Sequence, residues 1–393
     1  MRKILLLSNK VPFPPRDGST IAMASHIRGL LANEAEVTVL ALNTVKHRVS
    51  ELPTNTPVGV EWEIIDCDTT PNIPGLLWNT LFSKESYMVS RFNRRDVRQK
   101  LETLLQNNAF DVVILEGLFM TPYIKTIKSF NIPVYLRAHN VEHQIWNRQI
   151  EQESSSLRKA ILSIQNRRLK SFEEQMTPAV DGVIAITEVD AEWYRTLLSK
   201  DKVYVMPTGI DPSIYPNFES KSPDVFHLGA MDWIPNVDGI EWFAKSVWPE
   251  VLKRNAQTSF HLAGRDSEKL NLHDPSRGFF VEGKVEDASK FYEKHGIFVV
   301  PLRAGSGMRI KVLEAMAYGK AIVGTSIGVE GIPFENGIHG LTANTETEFA
   351  DAIAKLLRSP ELRTELGQNA RKLIHSEFNE SQLAKELLNF LNK

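Results

Sequence analysis

Short apolar, β-branched runs alternate along the chain with longer stretches whose apolar residues recur every three or four positions. In the first half the runs are residues 2–8, 37–42, 60–65, 111–115, 134–136 and 183–186. Each is too short for a helix, which predicts strands. Residues 21–31 and 157–176 have helical spacing. In the second half the predicted strands are 225–228, 259–262, 279–281, 297–300 and 321–323. The predicted helices there are 240–251, 288–293, 310–317 and 349–357, with 361–376 and 381–391 closing the chain. Strand and helix in succession predict parallel sheets covered on both faces.

The pattern is interrupted at Pro207-Thr208-Gly209-Ile210-Asp211-Pro212, with Pro216 and Pro223 close behind. That density of proline and glycine predicts a connection over 207–224 between a first domain, 1–206, and a second, 225–375, followed by a terminal segment, 376–393. A length of 393 residues also exceeds what one core usually organises. Two doubly wound domains imply a cleft, with ligands at the carboxyl ends of the strands.

Composition narrows the function. A formal net charge of -2 excludes a global electrostatic grip on nucleic acid. Cys67 is the single cysteine, so neither an intramolecular disulfide nor a cysteine zinc site can form, and a reducing, cytoplasmic setting is expected. The apolar run after Met1-Arg2-Lys3 is too short for a signal-peptide core and reads as a buried first strand. No run approaches the ~18 apolar residues of a membrane span.

The segment from Val300 to Lys320 holds the most informative chemistry. A strand ends at Pro301, a turn of small residues follows (Ala304-Gly305-Ser306-Gly307), then Met308-Arg309-Ile310-Lys311-Val312-Leu313-Glu314 opens a helix. Free backbone N–H groups, a helix dipole and the cations Arg309 and Lys311 suit a diphosphate. Spacing alone favours a plainer reading, in which Lys311 and Glu314 are a solvated surface pair worth ~0.3 kcal/mol.

This segment resembles the C-terminal signature of the retaining family-4 (group 1) glycosyltransferases, which have the GT-B fold of two Rossmann-like domains facing each other across a cleft. The resemblance extends to Phe226–Asn236, Leu262-Ala263-Gly264-Arg265, Pro207–Asp211 and Ile327–Gly331, most of residues 205–375. In the first half, residues 12–18 look like the family's glycine-containing loop, and Arg137-Ala138-His139-Asn140-Val141-Glu142-His143 like its histidine segment. The resemblance implies transfer of a sugar from a UDP- or GDP-sugar to a glycan or lipid-linked acceptor, with retention and without a metal or other cofactor. It implies that Glu314 holds the ribose hydroxyls, that Gly305, Ser306 and Gly307 form the diphosphate turn, that Gly18 belongs to the N-terminal loop and that His139 meets the donor sugar. Arg309 and Lys311 are the candidates for the leaving group's charge. It also implies a last helix packed on the first domain. The sequence departs from the family at Ser306, where many members carry a second glutamate that holds the donor sugar, so the sugar's identity does not carry over. A GT-B UDP-sugar epimerase and a non-catalytic sugar-nucleotide-binding protein share these features.

Three further features compete for a role. Asp66-Cys67-Asp68 has the spacing of a metal-binding Asp-x-Asp, but reads better as a polar turn after a strand. The aromatic and apolar residues Leu76, Leu77, Trp78, Leu81, Phe82 and Tyr87 precede the basic run Arg91, Arg94, Arg95, Arg98, Lys100. That pairing fits peripheral contact over residues 76–100 with the inner membrane face, or an ordinary solvated helix. No Walker loop or His-Glu-x-x-His is present, and Gly305-Ser306-Gly307 fails as a dinucleotide fingerprint at Ile310.

Overall fold

The six short runs of the first half and one further strand form one sheet: β1 (Lys3–Ser8), β2 (Glu36–Thr44), β3 (Val60–Cys67), β4 (Val112–Glu116), β5 (Val134–Ala138), β6 (Gly182–Ala185) and the unexpected β7 (Val203–Val205), in the order β3-β2-β1-β4-β5-β6-β7. The computed structural model describes residues 2–54, 56–218, 222–305 and 308–392. Every pairing is parallel. Ile4, Leu5, Leu6 and Leu7 are all buried because helices cover both faces of the sheet, so the central strands are apolar throughout rather than alternating. The strand order reverses between β1 and β4, where Ser8 lies in register with Glu116, and such a reversal opens a crevice at the strands' carboxyl ends.

The helix Gly18–Ala32 follows β1. Asp17 caps it by accepting from the Thr20 N–H at 2.9 Å, while the Thr20 hydroxyl oxygen accepts from the Asp17 N–H. The closing helix, Glu380–Phe390, lies against it: Arg28 donates twice to the Glu380 carboxylate, at 2.8 Å each, and Leu383, Ala384 and Leu387 join the same core. A side chain at Gly29 would collide with the Glu380 carbonyl, which fixes the residue as glycine. Residues 1–209 and 380–393 therefore make one unit and residues 210–379 the other.

The second unit repeats the plan with β8 (Val225–Leu228), β9 (Phe260–Ala263), β10 (Phe279–Gly283), β11 (Ile297–Val300), β12 (Ala321–Gly324) and β13 (Leu341–Thr342), ordered β10-β9-β8-β11-β12-β13 and parallel. Its reversal falls between β8 and β11. Residues 210–218, read from the sequence as linker, belong to this unit: Tyr215 and Phe218 pack on Tyr318, with ring centroids 5.0 and 5.3 Å away. The single helix expected over 240–251 starts at Ile234 and is broken by a wider π turn, Phe243–Val247, before Trp248–Arg254. Pro249 explains the break, since it has no N–H to return to the Lys245 carbonyl. No helix among the described residues is long and apolar enough to cross a membrane.

Candidate functional site

In the second unit, the loops after β8 and β11 meet at the strand reversal. Gly305 has φ +116°, and a Cβ there would sit 2.8 Å from Arg309 Nη2 and 3.2 Å from the Trp233 ring. Glycine is required by the backbone, and a side chain there would also displace the Arg309 guanidinium. The Arg309 guanidinium lies over Trp233, 5.3 Å from its centroid, and burial lowers its pKa despite the opposing charge of Glu330. Arg309 is also the N-cap of the helix Ile310–Ala317 and offers no side-chain cap to its first N–H groups. Ser306 and Gly307 lie outside the described residues. Lys311 is turned to Glu314, its Nζ donating to Oε2 at 2.7 Å, with 47% and 19% of the two side chains exposed. The structure thus brings Gly305 and Arg309 together, and engages Lys311 with Glu314. Glu314 also faces two phenols, whose pKa values are raised first by burial and then by its charge, Tyr292 well above the usual range.

The first unit contains a buried ionic cluster at its own reversal. Glu116 ends β4 and Arg137 pairs with it across the ladder from β5. The Glu116 carboxylate meets His26 Nδ1 at 2.7 Å, Arg137 Nη1 at 3.2 Å and His139 Nε2 at 2.8 Å. Burial works against its charge, but Arg137 and the two imidazoles prevail and hold Glu116 well below the usual carboxylate range. Burial lowers both His26 and His139. A carboxylate only accepts, so neutral His139 donates through Nε2 and keeps Nδ1 as an acceptor, one that meets no partner in the fold. His139 can therefore take a proton or accept from a hydroxyl.

This cluster opens on a cavity of about 610 Å³, whose walls include Asn9, Lys10, His47, Glu116, His139 and Glu142. Lys10 donates to Ser19 Oγ at 2.8 Å and lies 3.8 Å from Asp17, which also meets His47 Nε2 at 2.8 Å. Gly18 stands beside this group, but its Cβ position is open, so the fold gives no steric reason for glycine there. His143, by contrast, is held by buried Glu173 at 2.8 Å and is structural. Sequence reasoning missed Glu116, His26 and Lys10. The one available signal was a charged residue closing the apolar run 111–115.

Glu142 is raised to about 7, by burial and then by the charge of Glu173, against Lys10. A carboxyl raised in the folded state stabilises fully below its unfolded pKa, and that contribution is lost as pH rises through about 7. Glu142→Gln escapes the loss. Its stability relative to wild type should rise between about pH 5 and pH 8, by as much as about 3 kcal/mol. Denaturant melts at the two pH values check this; a constant difference would show Glu142 ionised throughout.

Among the described residues, Asp66 and Asp68 have no third ligand group gathered with them. Asp66 accepts from Asn43 at 2.8 Å and Arg48 at 3.1 Å, and Asp68 from the Thr70 N–H at 2.8 Å. Four of the five basic residues have partners on their own chain, two of them in surface pairs: Arg91 on the Thr69 carbonyl, Arg94 on Asp96, Arg98 on Thr126 and the Tyr123 ring, Lys100 on Glu63.

Residues 16–214 match the family model described as Glycosyltransferase Family 4, and residues 222–359 the model described as Glycosyl transferases group 1. A 44.6 kDa uncharacterised protein of a Klebsiella pneumoniae cps region is 21% identical over 98% of each chain. An uncharacterised glycosyltransferase of Methanocaldococcus jannaschii is 32% identical over 31% of this chain and 33% of its own. Among solved structures, S. aureus TarM, in complex with Fondaparinux, alpha-GlcNAc-glycerol and UDP, superposes with a TM-score of 0.67 at 12% identity over 100% of both chains. Anabaena HepE in complex with UDP gives 0.64 at 13% over 99% of both. A sucrose-phosphate synthase of Thermosynechococcus elongatus gives 0.67 at 17%, over 100% of this chain and 98% of that one. With the two parallel sheets, these likenesses identify the fold as GT-B.

Proposed function

Because the chain belongs to glycosyltransferase family 4, we propose that it moves a hexosyl group from a nucleotide diphosphate sugar to a glycan or lipid-linked acceptor in polysaccharide biosynthesis, with retention of configuration and without a metal. The observation that carries this reading is the join of Gly305, Trp233 and Arg309 at the strand reversal of the second unit, beside an uncapped helix start. There the first N–H groups and Arg309 hold the diphosphate, and Glu314 takes the ribose hydroxyls. Lys311 leaves Glu314 for the leaving group. The bond from the anomeric carbon to the phosphate oxygen breaks as the bond to the acceptor oxygen forms, and the acceptor's proton passes to the departing diphosphate. Fixed charge and dipoles stabilise that separation. The cavity of the first unit takes the acceptor side, and His139 on its wall, as a hydrogen-bond acceptor, is the residue for a hydroxyl of the transferred sugar. The UDP of the TarM and HepE complexes, and the UDP-glucose of a further HepE complex, favour a UDP-sugar donor over a GDP-sugar, and the cps-region relative favours polysaccharide synthesis. A thermal-shift panel of UDP-, GDP- and ADP-sugars selects the donor. Product analysis with and without acceptor then separates transfer from epimerisation and from silent binding.

Metal independence gives a direct result. Turnover should persist in EDTA, and Asp66→Asn with Asp68→Asn should keep most of it. Abolition by chelation with rescue by manganese contradicts the proposal.

Peripheral membrane contact is proposed for the helix Ile73–Phe82, where Ile73, Trp78, Leu81 and Phe82 are 72%, 64%, 74% and 72% exposed. With most of the basic run committed internally, apolar insertion dominates. Trp78→Ser with Phe82→Ser should reduce vesicle co-sedimentation more than Arg94→Ala with Arg95→Ala. The opposite ranking, or no binding to any vesicle, contradicts it.

A further inference from the structure

At the opposite rim of the second sheet, Asp224 immediately precedes β8, His261 lies in β9 and His295 stands two residues before β11. These three strands are neighbours, and one ligand atom from each residue lies within 4.8 Å of the others. His295 is 2% exposed, and neither ring nitrogen has a hydrogen-bond partner; its Nδ1 stands 3.7 Å from Asp224 Oδ2. Such a buried, unsatisfied ring is costly unless something else fills the gap. His261 is already oriented, with Nδ1 on the Glu282 carboxylate at 2.9 Å and Nε2 on Ser259 Oγ at 3.1 Å, while Ser259 Oγ donates to Asp224 Oδ1 at 2.8 Å. This chain has three contacts running between two carboxylates.

We propose that Asp224, His261 and His295 bind a divalent transition-metal ion, zinc by preference, which ties the starts of β9, β8 and β11 together. Two imidazoles and one carboxylate are a zinc ligand set, and a carboxylate behind a ligating histidine is its usual support, here Glu282 behind His261. Tetrahedral coordination asks for ligand atoms about 3.3 Å apart, so the group contracts by up to about 1.5 Å and His261 Nε2 exchanges Ser259 for the metal. The Asp224 side chain is 34% exposed, which leaves an entry route and a fourth position on the solvent side. The ion sits at the amino ends of the strands, away from the carboxyl-end loops assigned to the donor. It serves stability, so removing it lowers the melting temperature without abolishing turnover.

The test is zinc titration of the chelator-treated full chain, by competition with a chromogenic chelator and by thermal shift. One equivalent should bind and raise the melting temperature, and cobalt(II) should give the visible d–d bands of low coordination. Asp224→Asn and His261→Gln, both on the partly exposed rim, should each weaken binding about tenfold or more; circular dichroism verifies their folding, and His295→Gln is added where it folds. Absence of saturable binding at micromolar zinc overturns the proposal. So does binding unchanged in both rim variants, which would place the ion elsewhere.

Discussion

Replacing Glu314 by alanine is expected to weaken nucleotide binding about 100-fold. Each charge-assisted hydrogen bond from a ribose hydroxyl is worth ~1.5–3 kcal/mol when desolvated. Losing two, with partial replacement by water, costs roughly 3 kcal/mol, which is the stated factor. The Lys311–Glu314 pair does little to oppose this: with Lys311 about half exposed, it holds only about 0.3–0.5 kcal/mol. Glu314→Gln keeps one acceptor and loses less. If the pair were only a surface ornament, both substitutions would leave binding nearly untouched and equal. Titration calorimetry on wild type and the two variants separates the cases, and an alanine variant within about threefold of wild type would move the donor site elsewhere.

The second large effect is on stability. Glu116→Ala removes the carboxylate that pairs with Arg137, a guanidinium that is 0% exposed. An unpaired buried charge costs about 3–5 kcal/mol. In a domain of this size that lowers the melting temperature by on the order of 10 °C. Glu116→Gln keeps the shape but not the charge and should fall between. Pairing Glu116→Leu with Arg137→Met should recover much of the loss, since two apolar groups leave no stranded charge. If Glu116→Ala melted within about 1 °C of wild type, the cluster would be far better solvated than its burial indicates.

The sequence displays what repeats locally. The strands of both sheets and the helix at 310–317 were legible because buried parallel strands are continuously apolar and helices return every three or four residues. The three-residue β7 and two-residue β13 were not, being too short to carry a period. The break at Phe243–Val247 depends on one proline inside an otherwise regular stretch. Glu116 stayed hidden for a different reason: its partners come from positions 26, 137 and 139, and only the register of β4 with β5 and the docking of a helix unite them. Trp233 was visible in its motif, but its place over Arg309 depends on two loops meeting. The partners of the basic run at 91–100 were only partly legible: Arg94 meets Asp96 two residues on, but Arg91 with Thr69, Arg98 with Tyr123 and Lys100 with Glu63 join distant positions.

The central claim is that a nucleotide sugar binds at the strand reversal of the second unit. Hydrogen–deuterium exchange with the nucleotide sugar chosen by the thermal-shift panel tests it most directly, in EDTA. The account predicts protection over residues 229–236 and 301–318, lost in Glu314→Ala. Protection confined to other segments, or none at saturating ligand, would contradict it.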